Sequence, residues 1–180
     1  MLAHLSPAAW CRFLLTASVG LALDLWTKWL AFHKLAIQVM ILPDGTPRVY
    51  SAHPYRLIPG WLEFEVIANQ GAVFGLGQGQ RALFIAASFA ASLFLIYLFL
   101  YSGRKWFYQI ILGMLLAGVL GNLYDRIKFG YVRDMIHALP QWPHLFRWIF
   151  NVADSLLCIG VTLMIVLGLM PSKSPGPQSR

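Results

Sequence analysis

The stretch ALFIAASFAASLFLIYLFLY, residues 82–101, decides the fold, because it is a long apolar run without a single charge. A helix needs about 20 mostly apolar residues to cross the hydrocarbon core of a bilayer. Three further apolar runs of similar length lie at residues 13–32, 106–126 and 148–170. All of them are continuously apolar rather than alternating, which argues against a membrane β-barrel. The sequence therefore predicts an all-α membrane protein with four transmembrane helices.

The composition agrees with a membrane protein. Of the 180 residues, 58% are hydrophobic and only 12% are charged, about half the charged fraction of a soluble domain. The formal net charge is +7, but the basic residues are scattered through short loops without interleaved aromatic residues. They indicate contacts with lipid headgroups rather than with nucleic acid. The histidines match no metal-binding pattern, and we expect neither a metal nor another cofactor.

The connections between the runs predict where the polar parts lie. Four spans put both termini on one side of the membrane and the long segment 33–81 on the other. Within that segment, apolar and acidic residues alternate over 62–66, which is typical of a strand with one buried face. Residues 39–42 and 48–50 flank a turn that contains Gly and Pro. We predict a small β-sheet here, within a single membrane-embedded domain over residues 1–170, and a disordered tail at 171–180.

Acidic residues in or beside the spans are the clearest functional signal. A carboxylate at the bilayer centre costs roughly 3 kcal/mol or more, so membrane acids usually face a polar cavity and usually have a function. Asp24, Asp125 and Asp154 lie in or at the ends of the runs, and Asp134 lies in a short connection near them. Three of the runs carry one stripe each of polar and small residues at helical spacing. The stripes are Thr16, Gly20, Asp24 and Lys28; Gly118, Gly121, Asn122 and Asp125; and Asn151, Asp154, Ser155 and Cys158. Alternating helix directions bring their polar ends to the membrane side opposite the termini, which predicts a polar pocket there.

Two carboxylates around one water molecule suit peptide hydrolysis, and Asp134 and Asp154 are the candidates. One carboxyl must be ionised to take a proton from water and the other protonated to polarise the carbonyl, a split that two close like charges enforce. Alternatives stay open at this point. Asp154 also suits a helix N-terminus, where the dipole favours an acid, and Asp134 also suits a loop ion pair with Arg133 or Arg126.

The neighbouring charged residues are interpreted as ion pairs. Asp125 and Arg126 are predicted to pair at the membrane edge. Asp24 and Lys28, four residues apart, are predicted to pair inside the protein.

Two asparagines and a glycine-rich segment complete the candidate pocket. Asn122 and Asn151 are expected to hold substrate or a carboxylate, although interhelical hydrogen bonds explain them almost as well. The segment 71–79 lacks the Gly-Lys-Ser/Thr of a phosphate-binding loop, and we expect it to flank a mobile gate.

Five motifs together resemble signal peptidase II. They are DLWTK at 24–28, NQGAVFG at 69–75, GVLGNLYDR at 118–126, GYVRD at 130–134 and FNVADS at 150–155. Each motif is weak alone, but the set is specific in this order relative to the four runs. The resemblance implies a bacterial inner-membrane protein with cytoplasmic termini, a small extracytoplasmic β-sheet and an active site near the outer face.

The resemblance also implies an activity. It implies that Asp134 and Asp154 form the catalytic dyad of an aspartic endopeptidase, which cuts diacylglyceryl-modified prolipoproteins before the lipidated cysteine. The residues expected to bind substrate or support the site are Asp24, Lys28, Asn69, Gly71, Asn122, Asp125, Arg126 and Asn151. The expected partners are membrane-anchored prolipoproteins and membrane lipid, and we expect a monomer. The segment 33–68 is longer than is usual in the family, and its role stays open.

Two other functions remain as alternatives. A small proton- or ion-coupled transporter also carries acids on inward helix stripes, but such proteins usually show internal repeats or broken helices, and this sequence shows no repeat. A non-catalytic membrane scaffold would tolerate the loss of both Asp134 and Asp154. Cleavage of a diacylated precursor distinguishes a peptidase from both.

Overall fold

Four long helices dominate the computed structural model, which describes residues 5–43, 45–51, 53–71, 80–145 and 148–169. They are α1 (Pro7–Leu35), α2 (Arg81–Leu100), α3 (Trp106–Lys128) and α4 (Val152–Leu169). Each is long and apolar enough to cross a membrane. The predicted four-helix membrane fold is therefore confirmed. The tail 171–180, which was predicted to be disordered, lies outside the described residues.

Two helices begin at positions that the apolar runs do not mark. α1 begins before residue 13, at Pro7, because the Ser6 hydroxyl accepts a hydrogen bond from the amide of Ala9 (3.2 Å) and proline suits the first helical position. α4 begins at Val152 rather than at residue 148, because Asn151 caps it. The amide of Asp154 donates to Asn151 Oδ1 over 2.9 Å.

Six short strands form two antiparallel sheets among the described residues. β1 (Ala36–Ile41) and β2 (Pro47–Ser51) form the hairpin that the turn predicted. β3 (Tyr55–Ile58), β4 (Leu62–Asn69), β5 (Val132–Ala138) and β6 (Ile149–Phe150) form the second sheet in that order. The prediction of one small sheet, built only from the segment before α2, was therefore incomplete.

Asp134 lies on a strand of the second sheet rather than on the predicted loop. β5 comes from the connection after α3 and pairs along β4, with Asp134 opposite Ile67. A strand fixes the direction of a side chain through its alternation of faces. The candidate carboxyl therefore stands on a rigid element.

α3 is the central helix of the bundle. It is by far the most buried of the four spans, and α1, α2 and α4 all pack on it. Close approach depends on glycine. A Cβ added at Gly118 would lie 2.7 Å from the carbonyl oxygen of Ala153 in α4, and one added at Gly20 of α1 would lie 2.8 Å from the Cβ of Ala117. These small residues let the helix backbones meet and bring the polar stripes of α1, α3 and α4 together.

Candidate active site

Asp134 and Asp154 reach one polar cluster from two different elements. Asp134 is fully buried on β5, and Asp154 is buried in the first turn of α4. Asn69 Nδ2 donates to Asp134 Oδ2 over 3.0 Å, and Asn151 Nδ2 donates to Asp134 Oδ1 over 2.6 Å. Asn122 Nδ2 donates to Asp154 Oδ1 over 2.8 Å. The structure thus brings together both candidate carboxyls and the three predicted asparagines.

Asn122 and Asn151 form a bridge between the two carboxyls. Besides its bond to Asp134, Asn151 Nδ2 lies 3.2 Å from Asn122 Oδ1. Asn151 Oδ1 accepts from the amide of Asp154, so the orientation of this side-chain amide is fixed. Each carboxyl therefore faces an amide nitrogen, and the two belong to one hydrogen-bonded network.

The protonation of Asp134 follows from this surrounding. Burial raises the pKa of Asp134 to about 7, and the neighbouring charge on Asp154 acts in the same direction. The hydrogen bonds from Asn69 and Asn151 oppose that rise, because they favour the ionised form. A pair of carboxyls that keeps one proton near neutral pH is suited to acid–base chemistry.

A buried ion pair supports the cluster from α1. Lys28 Nζ lies 2.8 Å from Asp24 Oδ2, which confirms the predicted pair. The same nitrogen lies 3.3 Å from Asp125 Oδ2 and donates to Asn122 Oδ1 over 3.0 Å. Asp24 Oδ1 accepts from the amide of Ala153 over 2.8 Å. Asp24 therefore holds the first turn of α4, which carries Asp154.

The predicted pairing of Asp125 with Arg126 is wrong. Consecutive helical residues do not face each other. Asp125 Oδ1 instead accepts from Arg133 Nε and Nη2, over 3.1 Å and 2.8 Å, and its Oδ2 accepts from the backbone amide of Arg133 over 3.0 Å. Arg126 Nη2 donates to the carbonyl of Gly71 over 2.8 Å. Asp125 thus ties α3 to the start of β5, close to Asp134. Nothing in the sequence pattern indicated that Arg133 is its partner.

Gly71 lies at the edge of the site. Its amide donates to Asn69 Oδ1 over 2.9 Å, which orients the Asn69 side chain so that its nitrogen donates to Asp134. The segment 71–79 was predicted to flank a mobile gate, and its residues 72–79 lie outside the described residues. The structure places Gly71 as an anchor for Asn69 and Arg126.

A cavity of about 240 Å³ opens beside Asp154. Four of its lining residues are polar or charged, namely Asn69, Asn122, Arg126 and Asp154. The other lining residues are apolar or small, and they are Phe84, Ala87, Ser88, Ala91, Val119, Val132 and Leu157. Sequence reasoning missed the contribution of α2 because that helix has no charged stripe. The available signal was its row of small residues on one helical face.

The comparisons with known proteins point to one family. The family model described as "Signal peptidase (SPase) II" matches residues 16–170. The chain is 37% identical over 166 residues to the lipoprotein signal peptidase of Rhodopirellula baltica, covering 83% of this chain and 68% of that protein. It is 35% identical over 184 residues to the lipoprotein signal peptidase of Coxiella burnetii, covering 97% and 100% of the two chains.

Two solved bacterial membrane enzymes share the fold. One has a TM-score of 0.76 at 27% identity, covering 92% of this chain and 93% of that one. The other has a TM-score of 0.72 at 29% identity, covering 88% and 92%. The match to the family model spans most of the chain, from α1 to the end of α4. The chain belongs to the signal peptidase II family.

Proposed function

We propose that this chain is an aspartic endopeptidase that removes signal peptides from diacylglyceryl-modified prolipoproteins by cutting before the lipidated cysteine. Membership of the family supports signal-peptide removal by a multi-pass bacterial membrane protein. One observation carries the catalytic class. Asp134 and Asp154 are both buried in a single network, joined by Asn122 and Asn151.

The two carboxyls have different roles in this proposal. In this proposal Asp134 holds the shared proton and Asp154 is the carboxylate, an arrangement that agrees with the full burial of Asp134 and its pKa of about 7. Asp154 takes a proton from a water molecule, and the water oxygen attacks the scissile carbonyl carbon while Asp134 protonates the carbonyl oxygen. Asp134 then recovers that proton as the carbonyl re-forms, and Asp154 passes the water proton to the departing amine. The C–N bond breaks and both carboxyls return to their starting states.

The cavity supports an anchored substrate. Its lining combines Asp154 with Phe84 and Ala91 of the apolar helix α2. Such a cavity suits a peptide segment that runs from the bilayer to the carboxyl pair. The acyl chains of the precursor already confine it to the bilayer, so binding needs little further search.

The orientation follows the same reasoning. We infer that the termini face the cytoplasm and that the two sheets, with the site beneath them, face the outer side of the inner membrane. The transporter alternative gains no support from the family, whose model is that of a peptidase. Each described span is also one continuous helix rather than the broken helix that is common in transporters.

The deciding experiment uses purified full-length protein in detergent with a diacylglyceryl-modified peptide. Asp134→Asn and Asp154→Asn are each expected to lower turnover by about a thousandfold or more while the protein stays folded. Glu65→Gln, the same chemical change on β4 at the His137 pair, is the matched control and should cleave normally. The unlipidated peptide should be a poor substrate. Near-normal turnover in either Asp variant would refute the catalytic assignment.

A further inference from the structure

We propose that charge balance across one buried cluster determines the pH range in which the Asp134–Asp154 pair holds a single proton. Within this cluster, Lys28 is a positioning residue that acts through Asn122. This inference rests on the proposed function. The cluster contains seven ionisable side chains, and each is at most 9% exposed. We call the following residues the buried charge cluster: Asp24, Lys28, Asp125, Arg126, Arg133, Asp134 and Asp154.

The charges in the cluster cancel only when one proton is present. Its three cations, from one lysine and two arginines, give +3. Its four carboxyls give −4 when all are ionised and −3 when one is protonated. An unbalanced buried charge is costly, whereas a balanced and hydrogen-bonded set is tolerated. Asp24 and Asp125 are the two carboxyls in direct ion pairs with Lys28 or Arg133, so the proposal assigns the one proton of the neutral cluster to the Asp134–Asp154 pair.

Lys28 is the cation that joins this balance to the catalytic pair. It contacts Asp24 and Asp125 and also donates to Asn122 Oδ1. That oxygen accepts a second hydrogen bond from Asn151. With its oxygen facing two donors, Asn122 must turn its amide nitrogen toward Asp154, as observed over 2.8 Å. The positive charge of Lys28 is therefore separated from the Asp154 carboxylate by only the side-chain amide of Asn122.

The other elements around the pair add few charges. α3 contributes Asp125 and Arg126, and β5 contributes Arg133 beside Asp134. β4 contributes the neutral amide of Asn69. The described part of α2 that lines the cavity carries no charge, and the exposed Arg81 at the start of α2 donates to the backbone carbonyls of Arg126 and Ile127.

Two remaining groups lie nearby on the sheet. Glu65 and His137 pair with each other over 3.2 Å, and both are partly exposed to solvent. Solvent screens such a pair far more than a buried one. The balance of the buried site therefore depends on the cluster itself.

The experiment measures the pH dependence of kcat/KM for a diacylated peptide in charge-altered variants. Lys28→Met removes one positive charge and should move both limbs of the profile to higher pH. Asp24→Asn removes one negative charge and should move them to lower pH. A unit charge one side-chain amide away from a carboxyl shifts the titration of that carboxyl by on the order of one pH unit at an effective dielectric constant near 20. The Lys28→Met/Asp24→Asn double variant restores the balance, so its limbs should return close to those of the unchanged protein.

Lys28→Arg is the matched control, because it keeps the charge and should leave the limbs in place even if the rate falls. A purely structural role for Lys28 would lower activity at every pH without moving the limbs, and that result would overturn the proposal. If Lys28→Met does not fold, Asp24→Asn and the double variant still test the proposal, because the limbs of their pH profiles are expected at different pH values. Failure of the proposed function would look different, because the unchanged protein would then not cleave the diacylated peptide, or Asp134→Asn would still cleave it.

Discussion

Two substitutions of Asn151 separate its role as the N-cap of α4 from its role as a hydrogen-bond donor to Asp134. Asn151 is fully buried, caps α4 through the amide of Asp154, and donates to Asp134 over 2.6 Å. Asn151→Ala removes both bonds. Asn151→Ser keeps a side-chain oxygen that suits the cap position but loses the donor to Asp134. The two variants therefore form a matched pair.

The magnitudes follow from these contacts. Loss of the cap costs about 1 kcal/mol, so Asn151→Ala should unfold more easily than Asn151→Ser by about that amount. A hydrogen bond to an ionised group contributes about 1.5–3 kcal/mol. Losing the bond to ionised Asp134 raises the pKa of Asp134, because that bond favours the charged form. The alkaline limb of activity should move up by about one pH unit in both variants.

Two assays check the Asn151 prediction. Equilibrium unfolding in detergent micelles compares the stabilities of the two variants, and kcat/KM over pH locates the alkaline limb. Equal unfolding free energies would show that Asn151 does not stabilise α4 as a cap. An unmoved limb in both variants would show that its bond to Asp134 does not control the proton, and the reasoning on the pair would then be refuted.

Three further predictions concern packing, the cavity and pH. Gly118→Ala places a Cβ 2.7 Å from a backbone carbonyl of α4, so it should lower the melting temperature by several degrees and reduce cleavage, whereas Gly168→Ala, where a Cβ meets nothing within 4 Å, should do neither. Ala91→Leu narrows the cavity at α2 and should raise KM for the diacylated peptide. Ala90→Leu, on an exposed part of the same helix, should leave KM unchanged. Equal KM values for the two variants would show that substrate does not occupy the cavity. The pKa of Asp134 is raised to about 7 in the folded protein, above the value of about 4 for an unfolded aspartate. The contribution of this carboxyl to the free energy of unfolding is therefore fully present below about pH 4 and is lost as the pH rises through 7. Asp134→Asn should lose less stability than the unchanged protein between pH 4 and 8 in thermal melts.

The sequence predicted the parts of the fold that depend on local pattern. The four spans follow from apolar length, and the inward stripes follow from helical spacing, so the burial of Asp24, Lys28, Asn122 and Asp125 was foreseeable. The Asp24–Lys28 pair was predicted for the same reason, since residues four apart share a face.

The sequence did not reveal contacts that depend on distant pairing. β5 forms only because β4, about 70 residues earlier, offers a partner strand, so Asp134 was expected on a loop. The partner of Asp125 was missed in the same way, because Arg133 reaches it only once β5 has turned back against α3. The contribution of α2 to the cavity was missed because this helix has no charged stripe, and its row of small residues was the only pattern that distinguished the cavity-facing side.

The most direct test of the central claim is a double-mutant cycle on single-turnover cleavage of the diacylated peptide, with Asp134→Asn, Asp154→Asn and the combined variant. If the two carboxyls act together on one water molecule, each single change removes the whole effect of the pair, and the combined variant is no slower than either single variant to within a few-fold. Losses that multiply in the combined variant would show that the two residues act independently, and the proposed catalytic pair would be contradicted.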